Sequence, residues 1–155
     1  MKFILIIIFN IMSFEIFSDD LIQNAHISFS MKTFELPSGA TISSYRNQGT
    51  FTDNYGNYGK TTCLGTIKKS KKEEVSLNVV CEAIDQNDNK FWVRNERNSE
   101  ELDVGSGIST IIAGTGPYKN LVGVKGIFAI KYKNDIGFVL TKYTLDLKQK
   151  KVLTN

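Results

Sequence analysis

Imidazole and thiol are nearly missing from this sequence: its 155 residues include one His and two Cys. A metal centre built from several His and Cys ligands is therefore excluded within a single chain. An excess of charge of one sign is missing too. The 19 Lys and Arg against 16 Asp and Glu leave a net charge of +3, without the strongly basic face that nucleic-acid binding uses. A composition of 23% charged and 41% hydrophobic residues excludes a chain disordered by composition and one embedded throughout in a membrane. After Asp20 no stretch sustains a 3.6-residue apolar period, so the body is not helical. The length fits one domain. These residues imply no metal and no cofactor.

What is present begins with a segment for export. Met1–Ser18 reads MKFILIIIFNIMSFEIFS: Lys2 is a positive n-region, Phe3–Phe9 with Ile11 and Met12 is apolar, and Ser18 precedes the polar Asp19-Asp20. This pattern predicts a signal peptide over residues 1–18. Its apolar run falls short of the roughly 20 residues a membrane span needs. Ile16 stands where a small residue is preferred, so a retained N-terminal anchor is the alternative. The expected mature protein is exported, periplasmic or secreted, and free of the membrane after cleavage.

Period-two alternation recurs through the rest of the chain. Eight strands are predicted: Ala25–Leu36, Thr41–Thr52, Lys60–Lys68, Glu74–Ile84, Lys90–Arg97, Ile108–Ala113, Leu121–Lys133 and Ile136–Leu147. Turn-forming residues separate them: Pro37-Ser38-Gly39, Asp53-Asn54-Tyr55-Gly56, Asn87-Asp88-Asn89 and Asn134-Asp135. Asn98–Gly107 reads as the longest connection, where Gly105 and Gly107 signal mobility or close backbone approach. Lys148–Asn155 reads as a basic, frayed tail. In Glu74–Ile84, Val75, Leu77, Val79, Cys81 and Ala83 share one face against Ser76, Asn78 and Glu82. In the last hairpin Val122, Val124, Phe128, Ile130 and Tyr132 oppose Lys125 and Lys131. One dry and one wet face per strand is the mark of antiparallel sheet around a single core. Eight short-linked strands without protected edges predict closure. The expected fold is all-β, an eight-stranded antiparallel β-barrel over residues 19–147, wide enough to pack its interior or hold one small ligand.

The two cysteines supply a register. A hairpin centred near residue 72 pairs Ile67 with Leu77, Gly65 with Val79 and Cys63 with Cys81, all on the apolar face. In an exported protein this predicts a Cys63–Cys81 disulfide, contributing roughly 3 kcal/mol on the chain-entropy account. Two buried thiols acting as small hydrophobes are the alternative. A nucleophilic Cys63 or Cys81 lacks a base, since His26, the sole imidazole, sits near the mature N-terminus.

Ser109–Gly126 reads STIIAGTGPYKNLVGVKG. Gly114-Thr115-Gly116-Pro117-Tyr118, followed by Leu121 and Gly123, resembles the G-x-G-x-[YF] … [LIV]-x-G signature of the allene oxide cyclase and dirigent barrels. Cys63-Leu64-Gly65, Cys81 and Asp85–Phe91 are similar to small exported bacterial proteins of that superfamily. The resemblance spans Gly49–Tyr132 and departs from the pattern at Asn120 and at Val124–Lys125. It implies a barrel, and a hydrophobic or phenolic ligand steered through cyclisation or radical coupling. None of the family's steering residues falls on a motif matched here, so it speaks to fold more than to activity. The glycine run is not a phosphate loop: no Lys-Ser/Thr follows, and no helix is expected after it.

Other constellations have bland readings beside sharp ones. Asp85, Asn87, Asn89 and Glu96 fall at positions 1, 3, 5 and 12 of a calcium loop. Lys90 stands where Gly is needed and the flanks are strands, so a polar hairpin tip is preferred. Lys68, Lys69, Lys71 and Lys72 before Glu73 and Glu74 read as a solvated, aggregation-resistant tip, with contact to an anionic surface as the alternative. On Phe91–Arg97, one face carries Phe91, Val93, Asn95 and Arg97 and the other Trp92, Arg94 and Glu96. Either choice puts an aromatic and a charge inside, and an inward charge needs a partner or a wet pocket. Trp92, Arg94 and Glu96 are taken as the ligand-facing cluster. The alternative has Trp92 covering a barrel end and Arg94–Glu96 as a surface pair. Tyr55 and Tyr58 line a barrel mouth or cap packing beside a turn.

The expected function is a non-catalytic binding or structural module holding at most one small hydrophobic ligand. A cofactor-free isomerase or cyclase is the second reading. A protein that meets envelope partners through Asn98–Gly107 is the third. No nucleic-acid partner is expected, and the sequence sets no oligomeric state. An open lumen with a convergent polar group beside Trp92 would favour a ligand or catalysis. A lumen filled by Leu77, Val79, Phe128 and Ile130 would favour a structural role.

Overall fold

A computed structural model describes residues 20–154; the export segment read at residues 1–18 lies outside them. The strands are β1 (Asp20–Glu35), β2 (Thr41–Asp53), β3 (Tyr58–Lys69), β4 (Val75–Asp85), β5 (Lys90–Ser99), β6 (Val104–Gly114), β7 (Lys125–Lys133) and β8 (Ile136–Thr144). A 3₁₀ helix, Gly116–Leu121, joins β6 to β7, and α1 (Leu147–Leu153) ends the described chain. Each strand pairs antiparallel with the next, and β8 returns to β1 from Asp20↔Thr144 to Ser28↔Ile136, closing the barrel. The alternation read from the sequence is thus the inside and outside of one closed sheet.

Local chemistry sets the turns. The Asp53 carboxylate accepts from the backbone N–H of Tyr55 and Asn57, both at 2.9 Å. Asp85 repeats the device with Asn87 at 2.8 Å and Asn89 at 2.9 Å. Both are Asx-type turns in which a carboxylate takes up otherwise orphaned donors. The β3–β4 hairpin has the expected register: Ile67↔Leu77, Gly65↔Val79 and Cys63↔Cys81. The two sulfurs are bonded, with Cα atoms 3.9 Å apart.

One end of the barrel is plugged. Gly116 has φ +51°, and a Cβ there would lie 2.7 Å from Asn89 Cγ. That turn swings Tyr118 inward, where its ring centroid lies 4.5 Å from Phe91; Phe91 in turn meets Phe51 at 5.6 Å. Leu121 is fully buried beside it. The opposite end carries the hairpins at residues 36–40, 70–74 and 134–135 and the loop at residues 100–103.

Four expectations need correction. Leu121–Val124 is not strand: Leu121 closes the 3₁₀ helix, and β7 starts at Lys125. The expected helix-free stretch after the glycine run therefore holds a short helix. The connection read as Asn98–Gly107 shrinks to residues 100–103, because β5 and β6 extend into it. The tail is not frayed over Lys148–Leu153. Asp146 accepts from Lys148 N and Gln149 N, and Gln149 Oε1 accepts from Asp146 N, a capping box that stabilises α1.

Candidate functional site

Between the plug and the hairpin end the lumen keeps a cavity of about 70 Å³. Leu77, Val79, Phe128 and Ile130 line it, so it is neither filled nor wide open. It is about half the ~150 Å³ of an apolar cavity that accepts benzene. Asn47, Asn95, Tyr45, Tyr132 and the disulfide bring polarity into the same wall.

These polar groups fall together because of register. Asn47 on β2 stands opposite Cys63 on β3, and Cys63 opposite Cys81 on β4. On β5, Asn95 Nδ2 donates to Cys81 Sγ at 3.4 Å. The disulfide therefore lies on the wall between two asparagines. Asn47 Nδ2 donates to the Tyr45 hydroxyl at 3.0 Å, and the Tyr45 and Tyr132 hydroxyls share a hydrogen bond of 2.7 Å. Asn47 Oδ1 and Asn95 Oδ1 are buried without a partner. A buried acceptor left unmet costs about 1–3 kcal/mol, so each carbonyl is poised for a donor from a guest or a water.

Burial raises the tyrosine pKa values. Desolvation pushes Tyr45 and Tyr132 up, and Tyr143, hydrogen-bonded to Ser109 at 2.6 Å, up to about 12. All three are neutral hydroxyls at physiological pH. The cavity lining contains no carboxylate, amine or imidazole. Both cysteines are in the disulfide, so neither is a free nucleophile.

Trp92, Arg94 and Glu96 lie on the outer face of β5, Trp92 half-buried and Arg94 and Glu96 exposed. This corrects their assignment as lumen residues. Phe91, Val93, Asn95 and Arg97 point inward instead, so the barrel does receive an aromatic and a charge, but from the other face. The physical reason lies on β6. A Cβ on Gly105 would sit 3.0 Å from Arg97 Cδ and Nη1, and one on Gly107 3.0 Å from Arg97 Cβ. The two glycines clear a groove for the inward arginine. They signal close approach, which was one of the two readings their sequence allowed.

Arg97 is 2% exposed. Its Nη2 donates to the carbonyls of Leu102 at 3.0 Å and Glu101 at 3.3 Å, while Nε and Nη1 have no partner. Burial lowers its pKa, opposed by the nearby Tyr132, Tyr45 and Asp103. Tyr55 is partly buried against the core and Tyr58 is exposed. At the calcium-loop candidate the Asp85 oxygens are taken by Asn87 and Asn89, and Glu96 is on the outer wall. No metal-binding cluster occurs among the described residues. The lysine-rich tip is exposed, with Lys69 bonded to Glu73 at 3.1 Å.

No family model, curated protein or solved structure matches this chain. In physical terms the Gly114–Gly123 motif is the glycine turn and the Tyr118 plug described above.

Proposed function

We propose that this is an exported binding barrel of the allene oxide cyclase and dirigent type that holds one small, mostly apolar molecule bearing a hydrogen-bond donor. The observation that carries the reading is the pair of buried, unpartnered carbonyls of Asn47 and Asn95 on the cavity wall. Apolar walls supply the affinity by burying the guest, and the two amides orient it. Export is supported by the Cys63–Cys81 bond, which persists in oxidising compartments.

The test is native mass spectrometry of protein taken from its own host, joined to ligand-observed NMR titrations. Short alcohols such as ethanol are compared with donor-free counterparts of the same size such as dimethyl ether. Saturable binding of the donor-bearing probes is expected, weakened about tenfold by Asn47→Leu or Asn95→Leu, as loss of one buried hydrogen bond would give. Arg94→Ala on the outer face should leave it unchanged. A lumen that retains no molecule and binds no probe would overturn the reading.

A further inference from the structure

The β1–β2 hairpin runs on past the seam of the barrel. β8 covers β1 only as far as Ser28↔Ile136, whereas β1 and β2 stay paired to Glu35↔Thr41. Along this arm Met31–Leu36 is exposed throughout, with Phe34 at 60%, and its cross-strand neighbour Ile42 is exposed as well. The backbone is open on the same side. Successive residues of an antiparallel ladder turn their N–H and C=O groups to alternate neighbours. Leu36 N donates to Ala40 O at 2.8 Å and Asn54 N to Ile22 O at 3.1 Å, so the even-numbered residues of β1 bond to β2 along one unbroken register. Met31, Thr33 and Glu35 therefore aim both backbone groups away from β2, where no strand faces them among the described residues. An apolar arm with an unpaired edge is a template for another strand.

We infer that a second copy of this chain fills the edge, β1 pairing antiparallel with β1 about a two-fold axis. Such an axis stands perpendicular to the shared sheet, so even-numbered residues oppose even and odd oppose odd. An axis at Lys32 or at Glu35 would set like charges directly face to face, which is unfavourable. An axis at Thr33 would bring the copy's Leu36 against Ser30, beside the turn at residues 134–135 where β8 begins. An axis at Phe34 avoids both. It places Phe34 on its own counterpart at a non-hydrogen-bonded position, where side chains approach most closely, and lays the Lys32 stem on Leu36. Thr33 opposes Glu35 on each side of the axis, and each of these pairs exchanges both of its N–H···O bonds. The bodies stay clear of one another: the two Ser28 residues, the last that β8 covers, stand roughly 40 Å apart along the strand direction. An overlap of Lys32–Leu36 is small for a protein interface, so the dimer is weak and concentration-dependent. It uses none of the cavity and is independent of the binding reading above.

Sedimentation velocity and amide exchange of the exported chain, from micromolar to millimolar concentration, test the pairing. The expected result is a dimer that grows with concentration. The Thr33 and Glu35 amides, fast in dilute solution, should slow by about tenfold or more as it forms. Thr33→Pro removes an outward donor and leaves the β2 ladder bonds in place, so it should hold the protein monomeric. Because this variant also loses the Thr33–Ser43 side-chain bond, a second one tests the register on an exposed site. Phe34→Cys should give a disulfide-linked dimer under mild oxidation, its Cα atoms being about 4.5 Å apart across the axis. Lys32→Cys, whose counterpart stands about 14 Å along the strand, should not. A chain that stays monomeric at millimolar concentration with both amides still fast overturns the inference. So does crosslinking as fast at Lys32→Cys as at Phe34→Cys. Slow amides in a monomer at every concentration would place the edge under another segment of the same chain and overturn it likewise.

Discussion

At the scale of single residues, the barrel interior takes up four tyrosines. Tyr45, Tyr118, Tyr132 and Tyr143 are all raised above the ordinary phenol value, with desolvation as the first cause. The consequence for stability has a definite sign. A group whose folded pKa exceeds its unfolded value binds more protons when folded, so its contribution is complete below the unfolded value. For Tyr143 that contribution is whole below pH ~10 and is lost as pH climbs toward about 12. The expected outcome is that tyrosinate absorbance near pH 11 falls well short of six phenolates. The remainder should appear together with loss of the β-sheet circular dichroism. Tyr143→Phe should flatten this alkaline decline while costing about 1 kcal/mol at neutral pH, since Ser109 loses its buried partner.

Arg97 and Trp92 also show, at this scale, where sequence reading stops. The two faces of β5 each offer an aromatic and a charge, so alternation alone leaves them equivalent. What breaks the tie is volume on the neighbouring strand, where Gly105 and Gly107 meet Arg97. That signal was in the sequence as two glycines spaced by two, but it has meaning only once β6 is placed beside β5.

At the scale of elements, strands were the most legible feature because the period-two pattern extends over many residues. The short helices were not. The 3₁₀ helix Gly116–Leu121 has six residues and α1 has seven, too few turns for a 3.6-residue period to stand out. Their signals were terminal ones: Pro117 at the start of the first, and Asp146 with Gln149 forming the capping box of the second. The β3–β4 hairpin was fully legible. Its turn and two cysteines on one face allow one register, and the disulfide follows from it. Replacing both cysteines by alanine is expected to lower unfolding free energy by roughly 3 kcal/mol on the chain-entropy account. Urea unfolding of the double variant, compared with oxidised wild type, measures it. Lumen binding should also change, because Cys81 Sγ accepts from Asn95 and helps to orient that amide.

At the scale of the whole molecule, the ladder is one-sided along the far end of β1. β8 covers β1 only from Asp20 to Ser28, so Phe29–Glu35 pairs with β2 alone. Closure protects both edges of a strand, and a segment paired on one side leaves every second amide without a ladder partner. Native-state hydrogen exchange should therefore protect Leu21–Ile27 throughout. Over Ser30–Glu35 alternate amides should exchange faster by orders of magnitude. Uniform protection along β1 would mean that something else covers this edge in solution.

The sequence by itself determined the alternation, the turn positions and the cysteine pairing. Each depends on residues close along the chain, whose chemistry acts before distant strands meet. Tertiary structure alone decided which side of β5 faces inward, why an arginine is buried with free donors, and how two asparagines come to flank a disulfide across the cavity wall. Those outcomes are set by side-chain volumes on strands far apart in sequence, and they exist only when the eighth strand has returned to the first.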